Sequence, residues 1–300
     1  MPNTSPRPER FGFALSAEQL QLRATAQAFA KERLASSAAE RDRSRVFPKG
    51  LIGELASLGF LGMKVPLEDG GGGADNTAYV LAMEAIAEAD ASIAVILASS
   101  NLSSTILAKH GTAAQKARWL LPYTEGKLGP ASFALTEPGA GSDVAGLRTT
   151  ARREGDAWVL HGSKLFITNG VHANLYFIAA RTGTARHEIS IFAVEKGTPG
   201  FTVGRQLDKT GWLSSDTAEL HFENCRIPAD HLLGEEGRGF YAVMKNFQTE
   251  RIALGAMAVG HCTQALRLAV EHARQREAFG GTLWDKQAVR QRLTSLSLHQ

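Results

Sequence analysis

The chain has 300 residues, 44% hydrophobic and 21% charged, which is enough for a sizeable core and two or three packed units. Its net charge of +3 comes from Lys and Arg scattered among Asp and Glu, with no basic stripe interleaved with aromatics, so nucleic acid is not an expected partner. Two distant cysteines, Cys225 and Cys262, argue against a disulfide framework and fit a reducing compartment.

Residues 1–15 lack an apolar h-region and read as a disordered lead rather than a secretory signal. From 16 to 126 the texture is helical. Leu20, Ala24, Phe29 and Leu34 mark a first amphipathic segment, with Ser16 and Glu18 at its start. Pro48 opens a second, carrying Leu51, Ile52, Leu55, Leu58 and Phe60. The glycine run at 70–73 is a loop, an Ala-rich helix follows over about 76–88, and another carries Leu102, Ile106 and Leu107. The most apolar stretch, 91–97, is too short to cross a bilayer, so the expectation is a cytoplasmic protein without a membrane partner.

Between 127 and 236 the texture turns β-like. Strand-forming runs fall at 158–160, 164–168, 175–178, 188–194 and 219–223, separated by Gly, Asn, Thr and Pro. No helices intervene, which predicts an antiparallel barrel or sandwich and argues against a dinucleotide-binding βαβ fold. From 237 to 300 the helical period returns, broken by a turn at Gly280 and Gly281, with a further helix from about Trp284. The fold class is therefore α+β: a helical N-terminal domain, a middle β domain and a partial C-terminal helical domain.

The densest motif runs FALTEPGAGSDVAG from Phe133 to Gly146. Pro138, Gly139 and Gly141 force a tight turn, and Thr136 and Ser142 set hydroxyls beside it. Such a turn can approach the edge of a flat polar ring or a pyrophosphate. By itself it could equally be an ordinary glycine-rich turn, and its spacing is not that of a Rossmann fingerprint. Downstream, GSKLFITNG ends at Gly170 in an Asn-Gly turn. Farther on, Val243, Phe247, Leu254 and Met257 share a helical face, and steps of about 100° per residue set Glu250 in its middle, with Arg251 at the margin. A carboxylate there loses hydration and becomes a credible base; the alternative is a structural Glu paired with Arg251.

These segments, together with LDKTGWLSSDTAELHFENCRIP, GEEGRGF, ERIALGAMAVG and REAFG, resemble the acyl-CoA dehydrogenase family over essentially the whole chain. The resemblance implies FAD as cofactor, with Phe133, Leu135, Thr136, Gly141, Ser142, Phe166, Ile167 and Thr168 as its contacts. Phe166 stands where the family most often has Trp. Arg276, Phe279 and Gln287 match positions that reach the FAD of a neighbouring subunit, which implies a homo-oligomer, a tetramer in the family. Ser142, Tyr241, Gln248, Thr249 and Arg251 match thioester contacts. Tyr241, nine residues before Glu250, is expected near the same face of the helix.

Glu250 matches the on-helix base of the isovaleryl-CoA and long-chain types, which leans toward branched or long acyl groups. The implied reaction is α,β-dehydrogenation of an acyl-CoA, with electrons passed to electron-transfer flavoprotein. Family members continue through a further loop and more helices, so the resemblance implies an incomplete C-terminal bundle and a truncated chain. An acyl-CoA oxidase or related flavin monooxygenase of the same fold, or an inactive paralogue acting as an interaction subunit, are the alternatives. The nine His residues form no metal-ligand spacing, so no metal site is expected.

Overall fold

A computed structural model describes residues 14–298, so most of the expected disordered lead lies outside the described residues. Helix α1 (Ala17–Phe29) starts at a capping box in which the Ser16 hydroxyl accepts from the Gln19 backbone and the Gln19 side chain accepts from the Ser16 backbone. A π-turn leads to α2 (Ala38–Ser44), then α3 (Lys49–Ser57). The second amphipathic helix is shorter than its apolar pattern: it stops at Ser57, Leu58 is exposed, and Phe60 is buried from a separate 3-10 turn. Gly59, at φ 80°, makes the break.

Helices α4 (Asn76–Ala89) and α5 (Ala91–His110) form the centre of the helical layer. Asp75 and Asp90 cap them by accepting from Ala78 and Ile93 at 2.7 and 3.0 Å. Asp90 also pairs with Arg41 of α2 at 2.8 Å, with both side chains largely buried. Residues 91–97, too short to span a bilayer alone, are the start of this 20-residue helix, which is long and apolar enough to do so. In the fold, 78% of its apolar window is buried against neighbouring elements, the signature of a core helix. Two short helices, α6 (Ala113–Gln115) and α7 (Leu121–Thr124), lead to the sheet.

The strands are β1 (Ala131–Ala134), β2 (Thr150–Glu154), β3 (Ala157–Thr168), β4 (Leu175–Arg181), β5 (Ile189–Glu195), β6 (Phe201–Gln206), β7 (Thr217–Pro228) and β8 (Leu232–Leu233). They run in the order β6-β7-β3-β2-β4-β5-β8, with β1 also on β4. The sheet is mixed rather than wholly antiparallel, because β1 pairs with β4 in parallel and β2 meets β4 in parallel at Thr150 and Arg181. The runs at 158–160 and 164–168 are one strand, bulged between Leu160 and Gly162 and between Lys164 and Ile167. Both faces of β4 and β5 are buried, one side against α5 and α8, the other within the β layers, which is why their sequences are apolar without alternation.

Helix α8 (Gly239–Gln275) is about 55 Å long at about 1.5 Å per residue. A small hairpin, β9 (Glu277–Ala278) with β10 (Gly281–Thr282), joins it to α9 (Gln287–Leu298), which buries no residue. The α8 face turned to the core holds Val243, Asn246, Ala253, Ala256, Met257 and Gly260. Leu254, expected on it, is 52% exposed; the buried stripe passes through Ala253 instead. At Gly260 the helix crosses α4 so closely that an added Cβ would lie 2.4 Å from the Glu84 carbonyl oxygen and 2.8 Å from the Glu88 nitrogen. Gly260→Ala should therefore cost about 1–3 kcal/mol by forcing backbone apart. The expected drop of several degrees in thermal midpoint is measurable by circular dichroism, and an unchanged midpoint would show that the crossing has slack.

Candidate active site

The glycine-rich turn is held by a buried ion pair. Lys164 of β3, 1% exposed, donates to Glu137 Oε1 at 2.8 Å and to the Leu135 carbonyl at 3.1 Å. Glu137 also accepts the backbone N–H groups of Arg148 at 2.5 Å and Thr149 at 2.9 Å, which closes the loop from its far end. Leu165 N–H donates to the Thr136 carbonyl at 2.9 Å. Burial pulls the Lys164 ammonium down to about 8 against the attraction of Glu137. Burial raises the Glu137 carboxyl, but Lys164 and the hydrogen bonds prevail and leave it below its ordinary value. The turn itself stays open: nothing lies within 4 Å of a Cβ built on Gly139 or Gly141, and Gly141 and Ser142 are exposed.

On β3 the bulge re-aims side chains. Phe166 sits at φ 61° and is 63% exposed, while Lys164 and Ile167 point inward. Ile167 was expected as a ligand contact, but its side chain lies in the β core, so only its backbone can face a ligand. Thr168 is half-buried, and its carbonyl accepts the Ser132 hydroxyl at 2.7 Å. The Asn-Gly turn is pinned by Asn169, whose amide donates to the carbonyls of Ile96 and Ala131, and by Asp216, which accepts from Val171 N–H at 2.6 Å. An exposed aromatic, a hydroxyl two residues on and an open glycine turn make a cradle for a flat ring with a polar edge.

Across the cleft, Phe247 of α8 meets Phe133 edge-on at 6.4 Å. Phe133 adjoins Ser132, which is bonded to Thr168, so α8 and the end of β3 share this wall. One turn beyond Phe247 comes Glu250, half-buried. Burial pushes its carboxyl up to about 7, partly offset by the Lys64 ammonium nearby. It is not paired with Arg251, which is exposed. Tyr79 of α4 is fully buried, and its hydroxyl, which feels the Glu250 charge, has no hydrogen-bond partner.

The remaining predicted residues divide. Phe133 and Leu135 are buried and Thr136 is half-buried, all beside the ion pair. Gln248 is exposed and Thr249 half-buried next to Glu250. Tyr241 is not on the Glu250 face: nine residues at about 100° each amount to two and a half turns, which sets the two side chains on opposite sides. Its ring, 52% exposed, lies against the Arg238 guanidinium at 4.9 Å, over a cleft of about 480 Å³ shared with Lys109 and Lys245. Arg276 stands at the far end of α8, about 39 Å along the helix from Glu250, and Phe279 and Gln287 follow in the hairpin and at the start of α9. Phe279 is 93% exposed at φ 54°. No group of His, Cys, Asp or Glu among the described residues could hold a metal ion.

Sequence reading missed Lys64, Tyr79 and the Glu137–Lys164 pair. A lysine inside a strand of otherwise apolar character was the available signal for the last. Removing one partner, by Glu137→Gln or Lys164→Met, should destabilise the protein by about 3–5 kcal/mol, because the other charge is left buried. The double variant should recover much of that loss in chemical denaturation. Additive losses would mean that the two charges do not depend on each other.

Three family models match in order: acyl-CoA dehydrogenase N-terminal domain over residues 16–127, middle domain over 132–225 and C-terminal domain over 237–299. The short-chain specific mitochondrial acyl-CoA dehydrogenase of Mus musculus is 42% identical over 281 residues, spanning 92% of this chain and 68% of that protein. The structure of butyryl-CoA dehydrogenase from Megasphaera elsdenii superimposes with a TM-score of 0.90 at 38% identity, covering 96% of this chain and 77% of that one. A structure described as electron transferring flavoprotein of Acidaminococcus fermentans, in work on flavin-based electron bifurcation, gives 0.91 at 37% identity, covering 96% and 76%.

Proposed function

We propose, from the premise that this chain belongs to the acyl-CoA dehydrogenase family, that Glu250 is the base in α,β-dehydrogenation of a short-chain acyl-CoA thioester. The chain is a FAD-dependent oxidoreductase acting on CH–CH groups. FAD, when bound, accepts the β-hydrogen with its electron pair. The exposed Phe166, the Thr168 hydroxyl and the open turn at Gly139–Gly141 suit its flat ring and polar edge, and Leu135, Thr136, Gly141 and Ser142 are the residues that would hold it.

The observation that carries the reading is a half-buried carboxylate, raised to about 7, one turn from the Phe133–Phe247 wall. Glu250 takes the α-proton, and the carbon–carbon double bond forms as the β-hydrogen departs. Proton transfer from carbon needs a base whose affinity sits near the working pH, and partial burial supplies it. Phe133 and Phe247 keep water from the reacting carbons. Ser142, Gln248 and Thr249 are the thioester contacts that family membership suggests, and the exposure of Ser142 and Gln248 leaves them free to take that role. The relatives named short-chain and butyryl-CoA dehydrogenase favour a short acyl group over the branched or long ones suggested by the on-helix base. Likeness to the structure described as electron transferring flavoprotein supports such a flavoprotein as electron acceptor. Arg276, Phe279 and Gln287, too distant for their own cleft, would serve the cofactor of a second copy.

Anaerobic titration with butyryl-, isovaleryl- and palmitoyl-CoA, followed by flavin absorbance, tests the substrate class. Bleaching is expected with butyryl-CoA first, and palmitoyl-CoA acting faster would overturn the short-chain assignment. Glu250→Gln should abolish bleaching while retaining FAD; near-normal bleaching in that variant would assign the base elsewhere. In the wild type the bleaching rate should rise with pH through about 7 as Glu250 loses its proton. A rate flat from pH 5 to 9 would separate the reaction from this group.

A further inference from the structure

We propose that the cleft between the end of α5 and the first turns of α8 is a second ligand site, which binds a purine nucleotide carrying two or three phosphates. It is separate from the cleft that holds Glu250, and it does not depend on the role of Glu250 as base.

The cleft encloses about 480 Å³ and is walled by the end of α5, by residues 233–235 and by the start of α8. Its walls are tied together. The Gly234 N–H donates to the His110 carbonyl at 3.1 Å. Gly239 lies so close to β5 that an added Cβ would be 2.8 Å from the Ile189 carbonyl oxygen. A cleft of this volume suits a molecule of nucleotide size and is far larger than inorganic phosphate needs. Tyr241 stands half a turn round α8 from Glu250 and two and a half turns before it, so this cleft opens on the other side of the helix.

The charge of the cleft is one-sided. Lys109, Arg238 and Lys245 share it, and Glu235 is the one carboxylate among its lining residues. Among the described residues, none of these three cations has a carboxylate oxygen within 4.0 Å. Other surface cations do pair, as Arg33 does with Glu54 and Arg226 with Glu154. Like charges gathered in one space repel. Burial lowers the Lys109 ammonium and Lys245 lowers it further, while His110 is lowered by burial and then by both lysines. A polyanion relieves that repulsion, and phosphates suit both lysine point charges and the planar fork of an arginine. The two lysines stand on different walls, α5 and α8, so two linked phosphates can meet both.

Tyr241 selects among polyanions. Its ring borders the cleft, is 52% exposed and has the Arg238 guanidinium 4.9 Å from its centre. An open aromatic face beside cations holds a base by stacking and its phosphates by charge. An acidic peptide would use the cations and leave the ring without a role.

The test is isothermal titration of the FAD-loaded protein with ADP, after the thioester site has been saturated with crotonyl-CoA. One equivalent of ADP should bind with a dissociation constant below about 1 mM. Pyrophosphate should bind about fivefold more weakly or worse, and Tyr241→Ala should bring ADP down to that level. The double variant Lys109→Ala/Lys245→Ala should weaken ADP by about tenfold or more while keeping the wild-type FAD content. Absence of ADP binding overturns the proposal, as does an affinity unchanged in the double variant. ADP binding that crotonyl-CoA abolishes would belong to the thioester site and equally ends it. Pyrophosphate binding as tightly as ADP would remove the base contact and with it the nucleotide. Should the alanine pair unfold, as judged by circular dichroism, Lys109→Gln/Lys245→Gln gives the same comparison.

Discussion

The Glu137–Lys164 pair is the interaction on which the cleft depends. A lysine on the inner face of a strand would be costly alone, and it is tolerated because one carboxylate and one carbonyl meet it at hydrogen-bonding distance. The same carboxylate binds two backbone N–H groups at the far end of the glycine turn. One side chain therefore ties both ends of a flexible loop to the strand that presents Phe166 and Thr168. The turn can be open and rich in glycine because its ends are not.

The second constraint is the uneven burial of α8. Its first two-thirds lie against α4, α5 and β5, and Gly260 lets the crossing with α4 close to backbone contact. That depth is what removes water from Glu250. A helix lying even slightly farther out would leave the carboxylate hydrated, with an ordinary proton affinity. The acid–base chemistry is in this sense a consequence of helix packing, set by a residue with no side chain ten positions away.

Local strain marks the ligand side of the cleft. Phe166 and Asn169 both take left-handed backbone conformations that bulky residues avoid, and they do so on either side of Thr168. Buried bonds hold each: Lys164 and Ile167 anchor the bulge, and the Asn169 amide bridges to α5 and β1. The bulge is the device that turns one aromatic outward while the strand continues inward.

The sequence by itself determined the succession of helical, β and helical segments, because apolar period and turn residues are local properties. It also determined the glycine turn, the Asn-Gly turn and the candidate base, since motif spacing and one helical face carry them. Tertiary structure decided what local period cannot express. The parallel pairing of β1 with β4 joins segments distant in the chain. The outward turn of Phe166 and the inward turn of Ile167 come from a bulge. The exposure of Leu254 depends on what α8 packs against. Tyr241 departs from the Glu250 face for a simpler reason, because nine helical residues at about 100° each end half a turn away. The influence of Lys64 and Tyr79 on Glu250 comes from other elements of the fold, so only packing creates it.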